Sequence, residues 1–231
     1  MRAFVRYPHT PHLLWLGSGV PRGDKILSEE QATEMLRGPV VVEEKVDGAN
    51  IGLSVGESGE IRVQNRGGYL RREHAHPQFG PLWAWSKARE AALAESLGKH
   101  LILFGEWCYA VHTVRYDRLP DWFLGFDVFD RKEAGFWDTA RRDNLLSHLG
   151  LRPVPRIAKG RITRARLSAL IGISVVGREP MEGIVARQEG SGRTLLRAKV
   201  VREAFTQAIQ DHWSRKPLRP NGLHVEAAAW R

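Results

Sequence analysis

Short apolar runs, bounded by glycine, proline or aspartate, set the rhythm of this chain. Residues 40–45 read Val-Val-Val-Glu-Glu-Lys, a β-branched run of strand length. An Asp47-Gly48 turn signal follows, then apolar runs at 51–55 and 61–65 separated by the turn-like stretch 56–60. Together these predict an antiparallel meander. Residues 101–108 and 122–129 are apolar enough to predict buried strands, and 183–187 and 194–201 predict two late ones.

Helical spacing fills the intervals. Residues 79–97 place Leu82, Trp85, Ala88, Ala92 and Leu93 on one face, which predicts a single helix. Residues 139–149 predict a helix ended by Gly150, with further helices at 163–171 and 203–213. The first forty residues are broken by Pro8, Pro11, Pro21 and Pro39 and read as a loop-rich lead-in with one helix at 28–37. The Pro- and Arg-rich tail from residue 216 reads as loosely ordered. Irregular alternation, with strands in hairpins, predicts an α+β fold of antiparallel sheets with flanking helices, not a doubly wound parallel sheet. The expected organisation is a lead-in over 1–39 packed on a catalytic domain over 40–213, then a short basic tail over 214–231.

Bulk properties narrow the partners. A chain of 231 residues can bury one sizeable core. No apolar run approaches the roughly eighteen residues of a membrane span, and residues 1–7 lack a secretory apolar region. Cys108 is the one cysteine, so no internal disulfide forms, which points to a reducing compartment such as the cytoplasm. The net charge of +9 favours a polyanionic partner.

The chemistry concentrates at Glu44-Lys45-Val46-Asp47-Gly48-Ala49-Asn50, where a strand runs into a tight turn. A lysine amine is a nucleophile only when neutral, and burial or a neighbouring cation lowers its pKa. Attack on the α-phosphorus of a nucleotide would give a phosphoramidate, and Gly48 permits close backbone approach. On these residues alone the plainer reading, an exposed lysine before a hairpin turn, stays open. Four later segments add weight: Phe104-Gly105-Glu106, Phe126-Asp127, Glu182-Gly183-Ile184-Val185 and Leu196-Arg197-Ala198-Lys199. Each sets a charged or aromatic group at or near the end of an apolar strand, where an unpaired charge is costly to bury. Neither G-x-G-x-x-G nor G-x-x-x-x-G-K-[ST] is present, so a nucleotide would be held without those phosphate loops.

In this order the segments resemble the covalent nucleotidyltransferase superfamily of polynucleotide ligases and mRNA capping enzymes, from the K-x-D-G nucleophile motif at Lys45 to the last motif at Lys199. Within it the chain is most similar to ATP-dependent RNA ligases of the nick-sealing phage and trypanosome-editing type, in a small bacterial form. Asn50 lies five residues past the lysine, Arg66 about twenty past it, and Arg187 five past Glu182. The lead-in Tyr7-Pro8-His9-Thr10-Pro11-His12-Leu13 is similar as well. Arg197 stands where the motif usually has lysine.

The resemblance implies an ATP-grasp-like nucleotide-binding groove and three steps: Lys45 takes AMP from ATP, the AMP passes to an RNA 5′-phosphate, and a 3′-hydroxyl displaces it. It implies that Phe126 stacks on adenine, that backbone around Glu44, with Asp47 and Gly48, reads and holds the nucleotide, and that Glu106 binds a ribose hydroxyl. Lys199 and Arg197 are expected at the α-phosphate, keeping Lys45 neutral by repulsion. Arg66, Arg187 and Asn50 are expected to orient phosphates or water, and Glu182 to hold Mg²⁺, or Mn²⁺ in its place. The expected partner is RNA with 5′-phosphate and 3′-hydroxyl ends, a nicked duplex foremost, with a protein partner to supply further RNA binding or end processing. The stretch after Lys199 is short, so no separate oligonucleotide-binding or helical C-terminal domain is expected.

Other readings remain at this level. A minimal DNA ligase, a capping-type guanylyltransferase and a non-catalytic nucleic-acid-binding module share the pattern. His74 and His76, near Arg71 and Arg72, read better as a solvated basic loop than as a metal site, and His9 and His12 likewise. Cys108 reads as a small buried hydrophobe. Trp83 and Trp85 could stack on bases, but packing is the better reading for Trp85. Arg215, Arg219 and Arg231 read as solvated.

Overall fold

A computed structural model describes residues 4–17, 26–208 and 217–224. Two sheets form the frame. The first has five strands in the order β1 (His12–Leu14), β11 (Arg193–Val201), β10 (Gly183–Gly190), β2 (Val40–Lys45), β9 (Arg156–Gly160). The second runs β4 (Ile61–Gln64), β3 (Ala49–Val55), β5 (Leu101–Trp107), β6 (Phe123–Asp130), β7 (Gly135–Phe136), with β8 (Arg152–Pro153) beside β6. Pairing is antiparallel except for β1 on β11 and β8 on β6. The α+β class with antiparallel sheets is therefore the observed one.

Strand period explains the layers. Successive side chains point to opposite faces. Val40 and Val42 of β2, Ile184 and Ala186 of β10, and Ala198 and Val200 of β11 share one face. They bury a core with Ala32 and Met35 of α1 (Glu29–Arg37) and Leu167 of α5 (Arg164–Ala169). In the second sheet Ile51, Leu53, Leu103, Trp107, Phe123 and Val128 form another core. It closes over α2 (Gly80–Ala88), α3 (Glu90–Leu97) and α4 (Thr139–His148). Both sheets keep their other face for the groove between them.

Several expectations need correction. Asp47-Gly48 does not close a hairpin: β2 pairs with β10 and β9, and β3 with β4 and β5, so the turn crosses from one sheet to the other. The Asp47 carboxylate explains the departure, since it accepts bonds from the Thr113 and Val114 amides on a distant loop. The single helix over 79–97 is two, broken at Arg89 (φ −113°, ψ 5°). There the guanidinium turns back over Trp85, 4.6 Å from the ring centroid, and reaches Asp121. The lead-in contributes β1, and the polar strand β9 has no apolar signature. Ser28 caps α1 through a reciprocal bond pair with Gln31. The final helix, α6, is described as Glu203–Ala208, and the expected remainder over 209–213 lies outside the described residues. Residues 217–224 are not loose: Asn221 is buried, and Pro220 and Leu223 pair with Ala110 and Leu119. Arg215 and Arg231 lie outside the described residues. No helix among the described residues is long and apolar enough to cross a membrane.

Candidate active site

Register brings the charged residues together. Across the first sheet, Lys45 stands opposite Gly183, Glu43 opposite Val185, and Val41 opposite Arg187. Val185 and Arg187 stand in turn opposite Lys199 and Arg197. Opposed residues share a face, so Glu43, Lys45, Arg187, Arg197 and Lys199 all belong to the groove side. From the second sheet Asn50 lies opposite Glu106. A pocket between the sheets is lined by Glu43, Glu44, Lys45, Asn50, Arg66 and Glu106, with Tyr7, Thr10, Val46, Phe126, Val154, Val185 and Arg187 completing it.

Lys45 ends β2, and its side chain is 28% exposed, enough for a ligand to reach. Its Nζ donates to Glu182 Oε2 at 2.7 Å. Burial works against the ammonium, but the carboxylates of Glu182, Glu106 and Asp47 outweigh it, and the lysine is held charged with its pKa raised. This corrects the expectation that Lys199 and Arg197 hold it neutral, because the nearest charges are negative. Three carboxylates cannot all be balanced by one ammonium. Burial, offset by Lys45 but reinforced by Glu182 and Asp47, pushes Glu106 up to about 8. Glu182, buried and close to Asp47, is pushed up to about 7 despite Lys45 and Lys199.

The turn after Lys45 is held on both sides. Gly48 N–H donates to Glu106 Oε1 at 3.2 Å, and a Cβ there would sit 2.7 Å from the Trp107 carbonyl oxygen, so only glycine fits. The Asp47 carboxylate accepts from Thr113 N (2.7 Å) and Val114 N (2.9 Å), which commits it to the loop and not to the pocket. Glu44 accepts from Ser174 Oγ and Val175 N, and burial raises its pKa. Asn50 Oδ1 is buried with no protein partner, at the pocket wall.

Beneath the pocket lies a buried ionic network. Arg187 bonds Glu43 (2.8 Å), Asp127 (2.7 Å) and the Phe126 carbonyl (2.9 Å). Arg142 of α4 bonds Glu43 (2.6 Å) and the same carbonyl (2.8 Å). Arg197 bonds Asp127 at 2.9 Å and lies over the rings of Tyr7 and Phe136. Arg197 and Arg187, expected on phosphate, are therefore committed to carboxylates: guanidiniums this deep need anionic partners. Tyr7 Oη donates to Asp127 at 2.5 Å, and its ring meets Phe126 edge-on at 5.2 Å.

Phe126 and Asp127 are neighbours that both serve this region, which a regular strand would forbid. The register explains it: Phe104 pairs with Asp127 and Gly105 with Gly125, so Phe126 is the extra residue of a bulge. Sequence reasoning singled out neither Tyr7 nor Glu43 nor Arg142 as a site residue. Glu43 carried a signal, a charge within a β-branched run, whereas Arg142 sits among the polar residues of α4 and carried none. His76 caps a short 3₁₀ turn through Gln78 N, Trp85 packs in the core, and Cys108 is buried.

A lysine at the lip of a groove between two antiparallel sheets, ringed by carboxylates and faced by an aromatic ring, defines a nucleotidyltransferase fold. The chain belongs to the RNA ligase family, whose model matches residues 38–201. Solved structures of Naegleria gruberi RNA ligase share the fold. A point mutant with ATP and Mn matches with a TM-score of 0.65 and 18% identity, over 92% of this chain and 60% of that one. A mutant with AMP and Mn gives the same values. The ligase with PPi gives a TM-score of 0.61 and 18% identity, over 90% and 64%. The chain thus spans about 60% of the length of the ligase it resembles. No curated protein matches the chain.

Proposed function

We propose that this chain is an ATP-dependent RNA ligase that joins 5′-phosphate and 3′-hydroxyl RNA ends through AMP carried on Lys45. The observation that carries the reading is the placement of Lys45 at the pocket, in contact with Glu182 and within the family-matched segment. In the first step the Lys45 amine, having lost a proton, attacks the α-phosphorus. The N–P bond forms as the bond to pyrophosphate breaks. An oxygen of the RNA 5′-phosphate then attacks the same phosphorus, and lysine leaves and regains its proton. Finally a 3′-hydroxyl attacks the activated 5′-phosphate and AMP departs.

The roles follow the observed placements. Phe126, with Tyr7, Val154 and Val185, offers an apolar seat for adenine. Glu106, protonated into the neutral range, can bond a ribose hydroxyl in either direction. Arg66 and Lys199 are the cations for the phosphates, while Arg187 and Arg197 hold the floor through Asp127 and Glu43. Among the described residues no cluster of three or more His, Cys, Asp or Glu could hold a metal alone. The oxygen donors present, Glu182 and the orphaned Asn50 Oδ1, fit a hydrated Mg²⁺ or Mn²⁺ that would arrive with the nucleotide. When bound, such an ion would supply positive charge that favours the neutral amine. Positioning and charge then provide most of the catalysis.

A nicked RNA duplex is the proposed substrate, a protein partner that extends RNA binding is compatible with it, and the cytoplasm is the proposed setting. The test is joining of a nicked, 5′-phosphorylated RNA duplex with ATP and Mg²⁺, beside a matched DNA nick. Sealing of the RNA that is lost in Lys45→Ala supports the reading. An adduct from GTP but not ATP, or sealing of DNA alone, overturns it.

A further inference from the structure

Residues 217–224 lie beyond the segment matched by the family model, yet they are bound into the surroundings of Lys45. Asn221 is buried and uses its whole amide. Its Oδ1 accepts from Tyr116 N at 2.8 Å, and its Nδ2 donates to the carbonyls of Cys108 (2.9 Å) and Ala110 (3.2 Å). Its backbone N–H donates to the Tyr109 carbonyl at 2.7 Å. Neighbouring backbone bonds join Val111 to Arg219, Gly222 to Tyr116, Leu119 to Gly222 and His224 to Leu119. The strap therefore fixes the loop over 108–116, which belongs to no named strand or helix.

That loop holds the nucleophile's turn. Thr113 N and Val114 N donate to the Asp47 carboxylate, and the Tyr116 hydroxyl accepts the Asp47 N–H at 2.7 Å. Tyr116 is fully buried, and burial, with Asp47 beside it, keeps its phenol protonated. The loop also meets the segment that grips Glu44. Tyr116 bridges to Gly177 and Arg118 N donates to the Val176 carbonyl, while Ser174 and Val175 bond the Glu44 carboxylate. Both flanks of Lys45, Glu44 before it and Asp47 after it, are thus anchored to loops that meet at Tyr116.

We infer that the strap is a positioning element for the reactive lysine, with Asn221 and Tyr116 as positioning residues that fix where the amine points. The inference rests on the proposed adenylylation of Lys45. None of the hydrogen-bond partners of Asn221 lines the pocket, so its effect travels through the loop, Tyr116 and Asp47. A displacement of about 1 Å between nucleophile and phosphorus can cost on the order of a hundredfold in rate. Substrate binding, which uses other groups, should move little.

The experiment measures single-turnover adenylylation with α-labelled ATP and Mg²⁺ on the full chain, for wild type, Asn221→Ala and Tyr116→Phe. Tyr116→Phe keeps the buried ring and removes only the acceptor, so it reports even if Asn221→Ala fails to fold. The expected result is a rate at saturating ATP lowered about tenfold or more, with the KM for ATP within about twofold. Unfolding midpoints measured on the same samples must stay above the assay temperature. A lowered midpoint with an unchanged adenylylation rate per folded molecule marks a purely structural strap and overturns the inference alone. A wild-type chain that takes no label overturns the proposed function and this inference with it.

Discussion

Arg142 shows how far a single residue can carry the site. It is 1% exposed, does not itself line the pocket, and ties the lining residue Glu43 to the backbone carbonyl of Phe126. Replacing it with methionine keeps the bulk but strips Glu43 of one of its two cationic partners. We expect a loss of about 3–5 kcal/mol in urea unfolding, since breaking one partner of a buried ionic group is far costlier than removing a surface pair. The same network sets an acid limit. Asp127 is buried, but Arg187 and Arg197 hold it below the usual carboxylate range, and Arg187 and Arg142 do so for Glu43. A depressed folded pKa contributes stability that is complete above the unfolded value and is lost as pH falls through the folded one. Unfolding midpoints should therefore drop steeply as pH falls below the ordinary carboxylate range, and Asp127→Asn should flatten that limb. Glu106 and Glu182 act with opposite sign. Their raised values, about 8 and about 7, make the nucleotide-free protein lose stability as pH rises from the ordinary carboxylate range, and the loss is complete once pH passes about 8.

At the scale of elements, the sequence was legible where a pattern is local. The runs at β2, β5, β6, β10 and β11 declared themselves through β-branched or aromatic density, and the helix read over 28–37 is α1. Partners were less legible, because pairing depends on which distant strand completes a ladder. That is why β2 and β3, adjacent in sequence, fell into different sheets. The bulge at Phe126 left no composition signal either, although it aims a pocket residue. Gly183 shows the constraint that pairing imposes. It faces Lys45 across the ladder, and a Cβ there would lie 2.2 Å from the Val200 carbonyl oxygen. Gly183→Ala must push β10 away from β11 and shift Glu182 with it. We expect a cost of about 1–3 kcal/mol in chemical unfolding, together with slower adenylylation.

Across the whole molecule, two sheets with separate cores meet at a pocket whose charged lining is balanced, Glu43, Glu44 and Glu106 against Lys45, Arg66 and Arg187, within a chain of net charge +9. The candidate residues could be gathered from sequence because the family motifs fall at strand ends. Their commitments could not, since whether Arg187 meets phosphate or Asp127 is decided by the fold. On the proposed function, the positive surplus serves RNA engagement. Affinity for a nicked duplex should therefore fall steeply and log-linearly with salt, as counterion release requires, while adduct formation from ATP changes far less. A binding isotherm series across salt concentrations checks this.

The proposed function requires the amine of Lys45 to become bonded to the nucleotide. Incubation with α-labelled ATP and Mg²⁺, digestion, and mass mapping of the labelled peptide tests it directly. One AMP per chain is expected, bonded to Nζ of Lys45 and absent from Lys45→Ala. Label on any other residue, or an undiminished adduct in that variant, would contradict it.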